Sequence, residues 1–492
     1  MQKKFYITTS IAYTNAAPHI GYALECIQTD ALARYRRQQG DDVFFLTGTD
    51  EHGTKIMQTA ELQGKDPQKF ANEISSQFKD LKKTLDLSWD AFIRTTDKDM
   101  HWSGVYELYR RAKENGDIEK RTYKGLYCVG CEAFVTEKEL VDGKCPIHHK
   151  EPQALEEENY FFLLSNYGKE IERKIRSNEL RIVPEARRNE ILAFLSEGLR
   201  DISISRPKDK LSWGIPLPDD DGQVFYVWFD ALTNYISAVG LGKDDKTSKE
   251  MLEKWWPADI HMIGKDIIRF HATIWIGMLL SAKLPLPKEI VAHGFITSGG
   301  QKMSKSLGNV VSPGELIEQY GTDPVRYFLL REIPTTDDGD YSEQKFRDRY
   351  NGELANGLGN FAARVLTLAE KEGAFDEEEF EQFVGENVTH RIKEARHGLK
   401  EKMEAFRLHE ALGIIWELIT FGDLYVNEMQ PWKQEGEEKR KTLVNLITIL
   451  EAVAEMLEPF MPSTSGKIQK CIKHGHGKIT IEKGENLFQR LQ

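Results

Sequence analysis

Lys4-Phe5-Tyr6-Ile7-Thr8-Thr9-Ser10 and Val43-Phe44-Phe45-Leu46 bracket the stretch that decides the fold. Both outer runs read as strands. Between them Ile20, Leu24, Ile27, Ala31 and Tyr35 recur at helical spacing, and Gly40 suits a helix stop. The spacing predicts a helix over 19–39, and strand–helix–strand order implies a parallel sheet. Ligands of such sheets gather beyond the carboxyl ends of the strands, at junctions like those holding His19 and Asp50. Further strands are expected at 224–228, 259–263 and 290–292. No Gly-x-Gly-x-x-Gly opens the first helix. Gly48 to Gly53 followed by Thr54-Lys55 has the wrong order for a phosphate-binding P-loop.

The chain has 492 residues, enough for about three domains. It is 40% hydrophobic and 29% charged, an ordinary globular balance that can bury a sizeable core. A formal net charge of -12 argues against a generally basic nucleic-acid coat, although a local strip can still bind phosphates. Lys345, Arg347 and Arg349 form one candidate strip, or else a solvated helix face. The longest apolar run, Ile274 to Leu280, is far short of the roughly 18 residues a membrane span needs. The first residues lack an apolar signal region, so a cytoplasmic protein with no membrane partner is expected. From about residue 355 the pattern is helical. Leu412, Ile415, Trp416 and Ile419 mark one buried face, and Leu443, Leu446, Ile447 and Leu450 another, which predicts a helix bundle.

Residues about 117–160 change character, with short β-type pieces, turns and three of the five cysteines. Cys128-Val-Gly-Cys131 and Cys145-Pro-Ile-His148 have metal-knuckle spacing. Thiolates plus an imidazole suit tetrahedral Zn2+, and His149 competes with His148 as the fourth ligand. With no evident open position the site is expected to be structural, contributing on the order of 10–16 kcal/mol of apparent binding energy to local folding.

Two segments far apart in sequence carry the chemistry. Pro18-His19-Ile20-Gly21 opens the first helix, where free N–H groups and the helix dipole attract phosphate. Lys302-Met303-Ser304-Lys305-Ser306 follows a turn at Gly299-Gly300. Together they resemble the two signature motifs of class I aminoacyl-tRNA synthetases. The detail around them is similar to the methionyl-tRNA synthetase family, from about Phe5 to Pro462. It includes Gly48-Thr-Asp-Glu-His-Gly53, Ser212-Trp-Gly-Ile-Pro216, Val227-Trp-Phe-Asp230, Ile263-Gly-Lys-Asp266 and Asp323-Pro-Val-Arg326.

The resemblance implies an α/β Rossmann-type catalytic domain (1–116 and 206–300) split by the zinc-knuckle insertion (117–205). A stem-contact domain bearing the lysine loop (301–354) and an α-helical anticodon-binding bundle (355–492) would follow. It implies activation of L-methionine with ATP and Mg2+, then transfer to tRNA(Met). Ile11, Trp228, Ala231, Tyr235, His271 and Trp275 would surround the methionine side chain, and Asp50 would hold its ammonium group. His19, Gly21, Tyr22, Asp266, His293, Gly294 and residues Met303, Ser304, Lys305 and Ser306 would bind ATP. His19, Lys302 and Lys305 would act in catalysis. Asp266 would touch either the ribose or the amino acid. Asp423 and Trp432 would meet the anticodon. No appended barrel follows Gln492, so a monomer is expected.

This sequence departs from the family at two positions. Tyr22 stands where a second signature histidine is usual, so reduced activation is expected. Asp423 stands where an asparagine is expected. The short insertion argues against the branched-chain synthetases, whose editing domain is separate, since one methylene is worth only about 1–3 kcal/mol in a pocket. The other rivals are a cysteine-activating enzyme, a non-catalytic tRNA-binding protein and a small-molecule adenylyltransferase.

Overall fold

The structure is a computed structural model that describes residues 2–129, 133–135, 137, 140–146, 149–303 and 309–491. The chain forms two compact units. The first comprises Met1–Pro18, Gly40–Lys83 and Ser88–His293, and the second His19–Gln39, Thr84–Leu87 and Gly294–Gln492.

A parallel sheet organises the first unit. Its strands run in the spatial order Ala12–Tyr13, Asp42–Asp50, Lys4–Thr8, Ile260–Gly264, Glu289–His293 and Arg181–Val183, with Ala91–Arg94 also paired to Asp42–Asp50. Lys4 pairs with Asp42 and Thr8 with Leu46. Tyr6, Ile7, Phe45, Leu46, Met262 and Ile263 are all fully buried. Such unbroken apolar runs belong to strands covered on both faces. The strand Arg181–Val183 falls within 117–205 yet joins this sheet through Glu289–His293. The rest of that stretch is built on a long antiparallel ribbon, Ile118–Cys128 against Gln153–Phe162.

The run 224–228 does not resume the parallel sheet as expected. Asp220–Phe225 is the centre of a three-stranded sheet, antiparallel to Ser205–Pro207 and Pro216–Leu217, and Val227–Leu232 is a helix. Aromatic and β-branched residues signal a strand without fixing its neighbours, and a helical turn after Tyr226 buries the same residues equally well.

In the second unit the helix Ile20–Gln38 is capped by His19 and carries Arg36 and Arg37 in its last turn. Ile296–Ser298 pairs with Gln301–Lys302 in a hairpin turned by Gly299 and Gly300, whose φ angles are +61° and +74°. Only glycine adopts two such angles at little cost. Helices Glu386–Glu404, Leu408–Met429, Gly436–Leu457 and Pro462–Cys471 follow, and Leu443, Leu446, Ile447 and Leu450 are fully buried. A small antiparallel sheet, Phe375–Asp376, Lys478–Ile481 and Ile472–Gly475, interrupts the helical pattern.

The motif Asp323-Pro-Val-Arg326 is a brace. Arg326 is fully buried, 2.8 Å from Asp30 Oδ2, and donates to the carbonyls of Leu85, Pro459 and Phe460. Asp323 accepts from Thr464 N at 2.5 Å. Four segments distant in sequence are thereby tied at one guanidinium. Among the described residues no helix is long and apolar enough to cross a membrane.

Candidate active site

The proposed methionine wall lies in the first unit. Tyr235, His271 and Trp275 are at most 2% exposed, Ala231 is buried, and Ile11 and Trp228 are partly buried. The polar side-chain atoms of Tyr235, His271 and Trp275 are all hydrogen-bonded, whereas the buried Trp228 Nε1 meets no acceptor among the described residues. His271 Nδ1 lies 3.0 Å from the Ile267 carbonyl, which can only accept, so Nδ1 carries the proton. Nε2 then accepts from the Tyr235 hydroxyl at 2.7 Å. Burial pushes the His271 pKa down to about 4, so the ring is neutral at physiological pH.

A second histidine, without a role in the sequence reading, stands behind this wall. Trp275 Nε1, a donor only, gives its proton to His261 Nε2 at 3.2 Å. His261 Nδ1 therefore donates to Thr8 Oγ1 at 2.9 Å. The Tyr235 ring lies over His261 with centroids 4.2 Å apart. Burial, then the neighbouring His271, lower the His261 pKa well below that of an ordinary imidazole. The available signal was a polar residue set between Ile260 and Met262 in the strand run 259–263. Trp228 stacks on Phe270 with centroids 3.7 Å apart and planes 5° from parallel.

Asp50 ends the strand Asp42–Asp50 and is buried. Its carbonyl accepts from Thr14 N at 3.0 Å and from Thr14 Oγ1 at 3.1 Å. The next residue, Glu51, receives Arg94 through both Nε and Nη2 at 2.7 Å. His52 Nδ1 donates to Asp230 Oδ2 at 2.6 Å, and His101 lies 2.7 Å from Asp230 Oδ1. Burial would raise the Asp230 pKa, yet the two imidazoles hold it below the usual carboxylate value.

The residues assigned to ATP are divided between the units. In the first, Asp266 lies in the turn after Ile260–Gly264, and His293 ends the neighbouring strand opposite Gly264. Both occupy the carboxyl ends of parallel strands. A Cβ on Gly264 would come within 2.7 Å of Asp266 Oδ1, so this glycine makes room for the carboxylate.

In the second unit His19 accepts from Gly21 N through Nδ1 at 3.0 Å, which leaves Nε2 as the N–H donor of a neutral ring. Desolvation lowers its pKa, although the residue still presents surface to solvent. A Cβ on Gly21 would meet the His19 ring at 2.8 Å, so the glycine is what permits this cap. Tyr22 sits in the first helical turn and is partly buried. Gly294 faces the backbone of Asp337, whose oxygen would lie 2.0 Å from any Cβ there. Lys302 ends the hairpin and Met303 is partly buried, while Ser304, Lys305 and Ser306 lie outside the described residues. Asp340 braces the hairpin, accepting from Gly300 N at 2.7 Å and from Thr297 Oγ1 at 2.6 Å.

Lys345 and Arg349 do not form an open basic strip. Lys345 lies 3.5 Å from Glu332, and Arg349 bridges Glu332 at 2.5 Å and Glu353 at 2.9 Å. In the helical region Trp432 is 52% exposed, in the turn after Leu408–Met429. Asp423 lies 3.3 Å from Arg364, a residue the sequence reading missed, and Arg364 also donates to Asn427 at 2.8 Å. Burial raises the Asp423 pKa and Arg364 opposes it.

At the expected zinc site, Cys128 ends the strand Ile118–Cys128 and Cys145 begins a turn closed by His149 N donating to its carbonyl. Both cysteines are buried, whereas His149 is exposed at a φ of +52°. Cys131 and His148 lie outside the described residues, and among the described residues no group of three metal-binding side chains occurs.

Known families match the chain in two places. The family of tRNA synthetases class I (M) matches residues 5–154 and 137–366, and the anticodon-binding domain of tRNA ligase matches residues 386–487. The methionine–tRNA ligase of Thermotoga maritima is 46% identical over 475 residues, covering 94% of this chain and 74% of its own. That of Clostridium acetobutylicum is 44% identical and covers 100% of this chain and 78% of its own. The solved structure of Mycobacterium tuberculosis methionyl-tRNA synthetase in complex with methionyl-adenylate matches at a TM-score of 0.92 and 39% identity, over 99% of this chain and 100% of that one.

Proposed function

The chain belongs to the methionyl-tRNA synthetase family of class I tRNA synthetases, and on that premise we propose how its residues divide the work. The activity has two halves. Methionine and ATP give methionyl-adenylate and pyrophosphate, and methionine then passes to the 3′ end of tRNA(Met).

Selection falls to Ile11, Trp228, Ala231, Tyr235, His271 and Trp275, with Asp50 on the ammonium group. The observation that carries this reading is the neutral, mutually satisfied set Tyr235–His271 and Trp275–His261. A thioether packs well against aromatic rings and needs no hydrogen-bond partner. A glutamine, glutamate or lysine of similar length would find Tyr235, His271 and Trp275 already committed to other partners and would leave most of its polar end unmet.

Activation is a problem of charge. The methionine carboxylate is already ionised, so no general base is needed. One carboxylate oxygen bonds to the α-phosphorus, and the bond to the bridging oxygen breaks with its electron pair leaving on pyrophosphate. An anion attacks an anion, so positioning and charge stabilisation supply most of the rate. Lys302 and Lys305 hold the developing charge, and His19 donates through Nε2. Asp266, His293, Gly21, Tyr22, Gly294, Met303, Ser304 and Ser306 bind the nucleotide. Mg2+ bound with ATP would supply further positive charge to the phosphates.

Cys128, Cys131, Cys145 and His148 would hold one structural Zn2+, a reading supported by the burial of the first and third. One zinc per purified chain is expected by elemental analysis. Trp432 is exposed as a stacking platform for an anticodon base. Asp423 acts through Arg364, because a bare carboxylate would repel RNA.

The test is amino-acid-dependent exchange of pyrophosphate into ATP over a panel of amino acids. Exchange with methionine is expected. Exchange with another amino acid in its place would overturn the assignment of the wall.

A further inference from the structure

The motifs Gly48-Thr-Asp-Glu-His-Gly53 and Val227-Trp-Phe-Asp230 each contain a residue with no role so far, and in the structure those two residues meet. Asp230 is fully buried and accepts from His52 on one oxygen at 2.6 Å and pairs with His101 on the other at 2.7 Å. His101 reaches on to Ser237 Oγ at 2.8 Å. His52 and His101 are at most 3% exposed. Trp213 lies edge-on to the His52 ring, with centroids 5.3 Å apart, and its Nε1 donates to the Glu51 carbonyl at 2.6 Å.

The connectivity gives this cluster its meaning. His52 is two residues beyond Asp50, at the end of the strand Asp42–Asp50. Asp230 precedes Ala231 and follows Trp228 by two residues on the helix Val227–Leu232. Ser237 ends the helix that bears Tyr235. The strand end is thus joined to the elements carrying the side-chain wall by a chain of three hydrogen bonds, two of them on the Asp230 carboxylate. An apolar contact could fill this space, but it would not fix the separation of the two elements. Charge-assisted hydrogen bonds do so within a few tenths of an ångström and are costly to leave half made.

We propose that His52, Asp230 and His101 are positioning residues that set the distance between the ammonium-binding carboxylate of Asp50 and the wall that receives the methionine side chain. They do not touch the reacting atoms. This inference rests on the assignment of Asp50 to the ammonium group. It makes recognition of the amino acid a fit of both ends at once, with the spacing held by a buried carboxylate.

The experiment measures binding of three ligands by calorimetry: L-methionine, L-methioninol and 4-(methylsulfanyl)butanoic acid, which is methionine without its amino group. The proteins are the full chain and its His52→Leu, His52→Asn, Asp230→Asn and Asp50→Asn variants. His52→Leu removes the donor, and affinity for methionine and methioninol is expected to fall roughly tenfold, the scale of one charge-assisted hydrogen bond. Affinity for the amine-free acid stays unchanged. His52→Asn keeps a donor at the Nδ1 position and is expected to restore most of the loss. Equal weakening of all three ligands by His52→Leu, or no weakening of any, would overturn the positioning role. Asp50→Asn separates the two layers. If it leaves methionine binding intact, the ammonium assignment itself fails. If it weakens methionine but His52→Leu does not, only the positioning role fails. His52→Leu leaves the Asp230–His101 pair intact, so the test survives if Asp230→Asn does not fold.

Discussion

In the first unit Tyr235, His261, His271 and Trp275 are buried, neutral and bonded to one another, so that each ring has one orientation. In the second, His19 caps a helix at the surface, and Lys302 ends a short hairpin turned by two glycines at positive φ. Under the proposed assignment the two regions answer different physical demands. A thioether offers no charge and almost no hydrogen bond, so only shape and the refusal of polar competitors can select it, and both require fixed walls. A triphosphate brings charge that changes during the reaction, so it needs hydrogen-bond donors and positive charge near its phosphates.

The comparison can be broken at several points. The largest effect is expected where the second unit is itself rigid. Arg326→Leu leaves the carbonyls of Leu85, Pro459 and Phe460 without this donor and Asp30 paired with Arg34 but no longer with Arg326, and should cost about 3–5 kcal/mol in a denaturation experiment. A neutral result would show that the brace is dispensable. Next, Lys305→Ala should lower the rate of adenylate formation by about 10²–10³ in stopped-flow assays, the effect of losing one preorganised charge partner. Folding stability should not change.

His261→Phe should act in the opposite way. It leaves Trp275 Nε1 and Thr8 Oγ1 unmet, so stability should drop by about 1–3 kcal/mol and the KM for methionine should rise, with the KM for ATP unmoved. A smaller effect follows from His271. Its pKa is about 4 folded against an ordinary value near 6.5, so the unfolded chain binds more protons between these limits. The stability contributed by the neutral ring is complete above about pH 6.5 and is lost as pH falls towards 4. His271→Gln should flatten the acid limb of a stability–pH curve, and an unchanged limb would contradict a neutral buried ring. The smallest effect is expected at Tyr22. Tyr22→His should raise the adenylation rate modestly, because a phenol donates a hydrogen bond but carries no positive charge. An unchanged rate would mean that this departure has no catalytic consequence.

Much of this contrast was readable in the chain. The periodicity of Ile20 to Tyr35 gave a helix to within a residue at its start, since His19 and Gly21 together encode the cap. The strands expected at 4–10, 43–46, 259–263 and 290–292 became neighbouring parallel strands, because strands buried on both faces carry largely apolar runs. Partners were less legible than elements. Nothing local in Val224 to Trp228 says that half of it pairs antiparallel and half turns into helix. Nothing in Arg181–Val183 announces that it joins a sheet whose first strand lies far earlier in sequence. The candidate site residues came from motifs, whereas the hydrogen bonds that hold their surroundings could not be read from the chain. His261, His101 and Arg364 act through contacts spanning from 14 to 253 residues, which no spacing rule reveals.

The central proposal is that the buried walls select and the lysine loop catalyses, and steady-state pyrophosphate exchange by Tyr235→Phe and Lys305→Ala tests it most directly. Tyr235→Phe should raise the KM for methionine with kcat largely kept, and Lys305→Ala should lower kcat with that KM kept. The reverse pattern, or a shared loss of both parameters in both variants, would contradict the division.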